Sequence, residues 1–264
     1  MARPADANGG HAIPRVDVLG VGVSAITMDV AVREIASWIQ RGYQRYVCVT
    51  GVHGVMEAQR DPALLRIHNE SGLTSPDGMP LVWASRWAGV TAVERVYGPD
   101  LMLALCAEAA EQGWRSFFYG GKEGVGERLA HCLQARFPGL IVAGTYSPPF
   151  RELTAEEDEQ VVERINQAQP DLVWVGLSTP KQERWMAAHV GRVRAPALLG
   201  VGAAFDIHAG LLRQAPRWMQ RSGTEWLYRL IIEPRRLWRR YLYNNPRFVV
   251  AVLRRPPRLR KDQL

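Results

Sequence analysis

Ser116-Phe117-Phe118-Tyr119-Gly120-Gly121-Lys122-Glu123-Gly124-Val125-Gly126 is the stretch that decides the fold. Its first four residues read as a buried strand, its glycines as a tight turn, and the residues from there to Phe137 as a helix. The unit then repeats. A strand is predicted over 140–143 and a loop over 145–151, after which Thr154-x-x-Glu157 forms a capping box for a helix to about Gln169. Leu172-Val173-Trp174-Val175 is another apolar strand, Pro180 opens a helix to His189, and 197–201 is the last apolar strand. Continuous apolar strands alternating with amphipathic helices predict a mainly parallel sheet covered on both faces, an α/β fold of Rossmann-like class.

Working outward, 16–23 is a short apolar run, and Thr27 is placed to cap a helix carrying Val30, Ile35 and Ile39. Residues 46–50 read as a buried strand centred on Val47-Cys48-Val49. A helical stretch follows to about Asn69, with a break at Asp61-Pro62. Pro99-Asp100 opens a helix over 101–112 that Gly113 ends. Past Ala215-Pro216 the strand signal disappears. Residues 217–240 are helical, rich in Trp and Arg and interrupted at Glu233-Pro234, and the end is rich in Pro and Arg. The expected organisation is a disordered N-terminus (1–12), an α/β body (13–212) and a basic, aromatic-rich helical appendage (213–264).

Charge follows that division. Fourteen of the 33 basic residues but only three of the 26 acidic ones lie from Gly210 onward, a net of +11, so the first 209 residues carry −4. All but Lys122, Lys181 and Lys261 of the basic residues are arginine, which suits bidentate phosphate binding. Cys48, Cys106 and Cys132 are widely spaced inside apolar runs and fit neither a disulfide framework nor a zinc site, so a reducing, cytoplasmic compartment is expected. The polar start lacks a hydrophobic signal core, and no apolar run approaches the roughly 20 residues of a spanning helix.

The loops after the strands are where an open α/β sheet binds ligands. Thr74-Ser75-Pro76-Asp77-Gly78-Met79-Pro80 holds a single carboxylate on a tight turn. Asp77 is either the cap of a helix starting near Met79 or a catalytic base. The other loops, Thr50-Gly51-Val52-His53, Gly120-Gly121-Lys122, 145–146, 176–182 and 202–206, are rich in glycine and neutral polar groups, as suits a nucleotide or sugar. Gly20-Val21-Gly22 lacks the third glycine of a dinucleotide fingerprint, and Gly121-Lys122 is followed by Glu123, so neither an NAD site nor a Walker loop is predicted. A Gly120-Gly121 turn ahead of a helix can still receive a diphosphate on its N–H groups, or be only a tight βα turn. The histidines are scattered without metal-ligand spacing; no metal and no cofactor is expected, and His53 alone follows a strand directly. Arg95 reads as a surface partner of Glu94, and Gln182 as a helix former or a polar hand reaching into a site.

Taken together, 75–80, Glu94-Arg95-x-x-Gly98-x-Asp100-Leu101, Tyr119-Gly120-Gly121, Gly176-Leu177-x-x-Pro180-Lys181-Gln182-Glu183, 200–206 and, in the tail, 225–230 with Glu233-Pro234-Arg235-Arg236 resemble the WecG/TagA/CpsF glycosyltransferase family over about 16–248. The resemblance implies an inverting transferase that moves a sugar, of N-acetylmannosamine or glucose type, from a UDP donor to a saccharide on an undecaprenyl-diphosphate carrier in surface or exopolysaccharide synthesis. It implies that Asp77 is the base and that Thr50, Arg95 and Gln182 are polar active-site residues. Many members carry Asn two residues after that Thr, where this chain has Val52.

The expected chemistry is a single displacement. Asp77 takes the acceptor proton, and Arg95, Arg229, Arg235, Arg236 and the Gly120-Gly121 turn meet the charge of the leaving diphosphate. Arg interleaved with Trp and Tyr predicts a peripheral contact with an anionic surface, the cytoplasmic face of the inner membrane. The same pattern suits a nucleic-acid backbone. That alternative leaves the polar loops of the body without a task, and no nucleic-acid partner is expected.

Overall fold

The computed structural model describes residues 13–260; the expectation for 1–12 lies outside them. The chain begins with a hairpin, β1 (Arg15–Val18) and β2 (Val21–Ser24), followed by α1 (Met28–Arg41). The 16–23 run is therefore two strands. Leu19 and Gly20 both take left-handed φ angles (54° and 88°), the requirement of a two-residue turn, and Asp17 Oδ1 accepts from the Gly20 N–H at 2.8 Å. Thr27 caps α1 as expected, accepting from the Val30 N–H.

Next come β3 (Arg45–Thr50), α2 (Val52–Ala58), α3 (Pro62–Glu70), β4 (Leu73–Pro76), α4 (Met79–Trp87) and α5 (Gly98–Gln112). Asp61 caps α3, with Pro62 at its first position, and left-handed Gly113 ends α5. Residues 74–76, expected in a turn, form a buried strand. Pro76 is tolerated because β4 is the sheet edge, where its missing donor leaves no ladder bond unmade.

The regular part follows: β5 (Arg115–Gly120), α6 (Val125–Arg136), β6 (Ile141–Tyr146), α7 (Ala155–Gln167), β7 (Leu172–Gly176), α8 (Lys181–His189), β8 (Ala197–Gly200) and α9 (Ala204–His208). The Thr154–Glu157 capping box of α7 is present in both directions. Strand β6 runs on through Thr145 and Tyr146, where the sequence suggested a loop. The six strands from β3 to β8 form one parallel sheet in the order β4-β3-β8-β7-β5-β6. One face packs on α1, α5, α6 and α9 around Trp38, Phe118 and Trp174; the other packs on α7 and α8 around Phe117, Tyr119 and Met186. This is the Rossmann-like α/β architecture.

The tail holds α10 (Arg217–Arg221), α11 (Glu225–Ile232), α12 (Pro234–Arg254) and β9 (Arg258–Leu259). Two expectations fail here. The helical pattern seemed to end near 240, yet α12 continues through Pro246, which lacks the N–H that would bond the Leu242 carbonyl. Phe248 and Val252 beyond it bury against Val55, Leu81 and the valines of the hairpin, and this packing offsets the lost bond. The strand signal also returns: β9 pairs antiparallel with β1, matching Val16 with Leu259 and Asp17 with Arg258. Two residues after a Pro-Pro pair carry no periodicity from which such a strand could be read.

Candidate active site

The carboxyl ends of β3, β4, β7 and β8 open into one cavity of about 700 Å³, across which α11 and α12 pass. Asp77 lines it, half-buried directly after β4. Its backbone N–H donates to the Thr50 carbonyl at 2.9 Å, continuing the ladder past Pro76, and its carbonyl accepts from Arg95 Nε at 2.6 Å. Its carboxylate Oδ1 accepts from the Gly98 N–H, the first residue of α5, at 3.0 Å. Asp77 therefore does not cap the helix near Met79 as one reading expected: α4 starts at Met79 behind Gly78 with no side-chain cap, and Asp77 serves the start of α5 instead. Helix α5 comes this close because Gly98 is bare; a Cβ there would lie 3.3 Å from Val49 Cγ1 and 3.4 Å from the Val201 carbonyl.

Arg95 also lines the cavity, and it is not a surface partner of Glu94. Its guanidinium stacks 3.9 Å from the Tyr97 ring centre, donates to Gln220 Oε1 at 3.3 Å and forms an ion pair with Glu225 of α11. Burial pushes Glu225 above the usual carboxylate range; Arg95 opposes the rise and Asp77 adds to it. Burial likewise raises the Tyr97 phenol, with Glu225 and Asp77 adding to it.

Two further arginines face the same space. Burial draws Arg229 down, but Tyr241, Tyr97, Glu225 and Asp77 together outweigh it and raise its pKa. Arg240 is lowered by burial, Arg229 and Arg236, against Tyr241 and Asp77, and its Nε has no hydrogen-bond partner among the described residues. Asp77 is therefore near enough for its charge to act on both cations. Arg236 lines the cavity while paired with Glu233 at 2.5 Å. Arg235, one residue earlier, is exposed and does not line it.

The remaining expected residues separate. His53 lines the cavity and is bonded through Nδ1 to Asn244 of α12 at 3.1 Å; burial, with Arg240 and Arg60, lowers its pKa to about 3, so it is neutral. Gln182 lines it too. Its Nε2 donates to the Gly200 carbonyl and to Glu183, leaving a buried Oε1 without a partner among the described residues. Glu183 is buried beneath, raised by desolvation and bonded to Thr179. Thr50 points away, 2% exposed, its hydroxyl 3.3 Å from His68 Nδ1. Gly120 and Gly121 lie outside the cavity wall. A Cβ on Gly120 would sit 2.7 Å from the carbonyl carbon of Gly176, and one on Gly121 would press on Val125 and Phe205, so Gly120 serves close packing between β5 and β7 and Gly121 the close approach of α6 and α9.

Sequence reasoning missed Tyr97, Glu225, Arg240 and Asn244, and the pair Trp83 and Trp87 on the cavity wall. A signal for Arg240 was available: Arg236 and Arg240 stand four residues apart on one helix face, and Arg235 with Arg239 on another. Among the described residues no three His, Cys, Asp or Glu side chains are grouped to hold a metal ion, and no helix is long and apolar enough to cross a membrane.

An N-acetylglucosaminyldiphosphoundecaprenol N-acetyl-beta-D-mannosaminyltransferase of Bacillus spizizenii is 31% identical over 198 residues, covering 75% of this chain and 74% of that protein. A transferase of the same description from Staphylococcus aureus is 28% identical over 249 residues, covering 94% of this chain and 95% of that protein. The family model described as "Glycosyl transferase WecG/TagA/CpsF family" matches residues 16–262. The chain belongs to the WecG/TagA/CpsF family of glycosyl transferases.

Proposed function

We propose that this glycosyltransferase moves a sugar from a UDP-sugar, of N-acetylmannosamine or glucose type, to a saccharide carried on a polyprenyl diphosphate, with inversion at the anomeric carbon. The observation that carries this reading is one cavity presenting the Asp77 carboxylate together with the Arg229 and Arg240 guanidiniums. A carboxylate beside cations is what transfer from a diphosphate leaving group requires. Asp77 takes the proton of the acceptor hydroxyl as that oxygen forms its bond to the anomeric carbon. The opposite bond breaks, and its electron pair leaves on the UDP diphosphate. Arg229 and Arg240 receive that charge, with Arg236 beside them. Arg95 holds Asp77 through its carbonyl and adds positive charge, and the free Gln182 Oε1 accepts from a donor N–H or hydroxyl. The names of the two relatives, which contain N-acetylglucosaminyldiphosphoundecaprenol, support the acceptor class.

The tail supports a peripheral position on an anionic membrane, which on the cysteine reading is the cytoplasmic face of the inner membrane. Trp218, Ile231 and Trp238 are 67%, 69% and 47% exposed, and the exposed Arg217 and Arg239 stand next to the two tryptophans in the chain. Apolar side chains interleaved with arginine suit a headgroup interface, roughly 1 kcal/mol coming from each basic residue near it. On this reading 213–264 is an appendage that both docks the body and completes its cavity.

The decisive experiment is Asp77→Asn, assayed with UDP-sugars and a polyprenyl-diphosphate-linked N-acetylglucosamine. A folded variant that keeps UDP-sugar affinity and loses more than about a hundredfold in kcat supports the base role. Near-normal turnover would remove it.

A further inference from the structure

One face of α12 changes character along its length. Near its start it presents Arg236 and Arg240 to the cavity, then the amides Asn244 and Asn245. From Phe248 onward the same face is apolar, and Val249 and Leu253 stand 55% and 64% exposed on it. Steps of four and five residues keep all of these in line. From Arg240 to Leu253 the stripe is about 20 Å long at 1.5 Å per residue.

The opposite wall is α4. Trp83 and Trp87, one turn apart, line the same cavity and are 48% and 54% exposed. Between the walls, Ala84 of α4 packs in one cluster with Phe248 and Val252 of α12, so the floor is closed and apolar. An open apolar trough that leads without a break into a cluster of arginines is complementary to one kind of ligand, an anionic head on a hydrocarbon chain.

We infer that the trough between Trp83 and Trp87 on one side and Val249 and Leu253 on the other holds the first isoprene units of the polyprenyl-diphosphate acceptor. Its diphosphate lies at Asn245, where the arginine end of the stripe meets the apolar end, and its sugar toward Asp77. This rests on the proposed function and adds the path of the lipid. The exposed ends of both walls let the rest of the chain run on into a bilayer.

The test uses the full chain and a benzophenone-bearing farnesyl diphosphate as probe, with no UDP-sugar present. Light-induced attachment is expected within 79–87 and 248–253, and excess unlabelled farnesyl diphosphate should abolish it. Leu253→Ser and Trp87→Ser, both at exposed positions, should each cut the labelling about fivefold or more. Val250→Ser and Ile231→Ser, exposed but off the cavity wall, should leave it unchanged. Labelling that competitor does not displace, or that all four variants reduce alike, would mean general adsorption to apolar surface and would overturn the trough. Attachment confined to other segments, as at a contact between two copies, would do the same. Loss of UDP-sugar turnover with the labelling intact would count against the proposed reaction and leave the prenyl site standing.

Discussion

Arg95, in the segment before α5, is ion-paired with Glu225 of α11, 130 residues later in the chain. The same guanidinium holds the Asp77 carbonyl. The residue that positions the proposed base is thereby also the one that fastens α11 across the cavity.

The pair is largely buried, its side chains only 13% and 15% exposed, so removing either partner strands a charge. Arg95→Ala and Glu225→Ala are each expected to lower stability by about 2 kcal/mol. Their double variant should lose less than the sum, with a coupling of about 1 kcal/mol or more. Chemical denaturation of the four proteins in the cycle measures this; strict additivity would show that the contact does not form in solution.

Cation loss should be felt by the diphosphate. Arg229→Gln and Arg240→Gln are each expected to weaken UDP binding about tenfold, while Arg235→Gln, which faces solvent outside the cavity, leaves it within twofold. Calorimetric titration with UDP separates the three. Equal effects at all three positions would point to diffuse surface charge.

The two kinds of glycine should respond differently. Gly120→Ala forces a methyl to 2.7 Å from the Gly176 carbonyl carbon at a φ of 117°, and should cost about 2–3 kcal/mol of stability while UDP affinity of the folded protein is unchanged. Gly51→Ala meets only open space and Asp77 Oδ2 at 3.8 Å. It should fold normally and lose activity, in kcat rather than in thermal midpoint.

Acid should destabilise the fold through His68. It is fully buried, and desolvation lowers its pKa to about 4. The folded chain therefore keeps it neutral while the unfolded chain protonates it near 6.5, so its contribution is complete above that pH and is lost as pH falls from 6.5 toward 4. The shift is worth about 3 kcal/mol, and His68→Gln should flatten the acid limb of a stability–pH curve by a comparable amount. An unchanged limb would show that His68 is hydrated in solution.

The proposed membrane contact predicts that Ile231→Glu, a change at a fully available surface position, lowers binding to phosphatidylglycerol vesicles about tenfold without affecting UDP binding. Flotation with and without vesicles reads the difference.

Periodicity carried the parallel sheet, because strands buried on both faces and capped helices leave unambiguous local marks: Thr27, Asp61, Gly113 and the Thr154–Glu157 box each sit where they were expected. The site was legible only in part. Asp77 and Gln182 stand just beyond strands, so topology alone brought them to the cavity. Glu225 and Asn244 depend on how the tail lies over the body, which no local pattern encodes. Gly120 and Gly121 stayed ambiguous for the opposite reason, since a turn shaped by close packing, as of Gly120 on Gly176, carries the same residues as one shaped for phosphate. Pro246 misled as well, because a breaker inside a helix yields to the burial of Phe248 and Val252.

The pairing of Leu259 with Val16 has a consequence in time. During synthesis β1 emerges more than two hundred residues before β9, and the edge they share stays open over that whole interval. Helix α12, which covers the cavity, immediately precedes β9. A nascent chain can build its parallel sheet early, since those contacts are local by comparison, but the tail contacts span more than two hundred residues and close last. The two arginines proposed to meet the leaving diphosphate thus arrive together with the surface proposed to meet the membrane, so that a half-made chain has neither the catalyst nor its address.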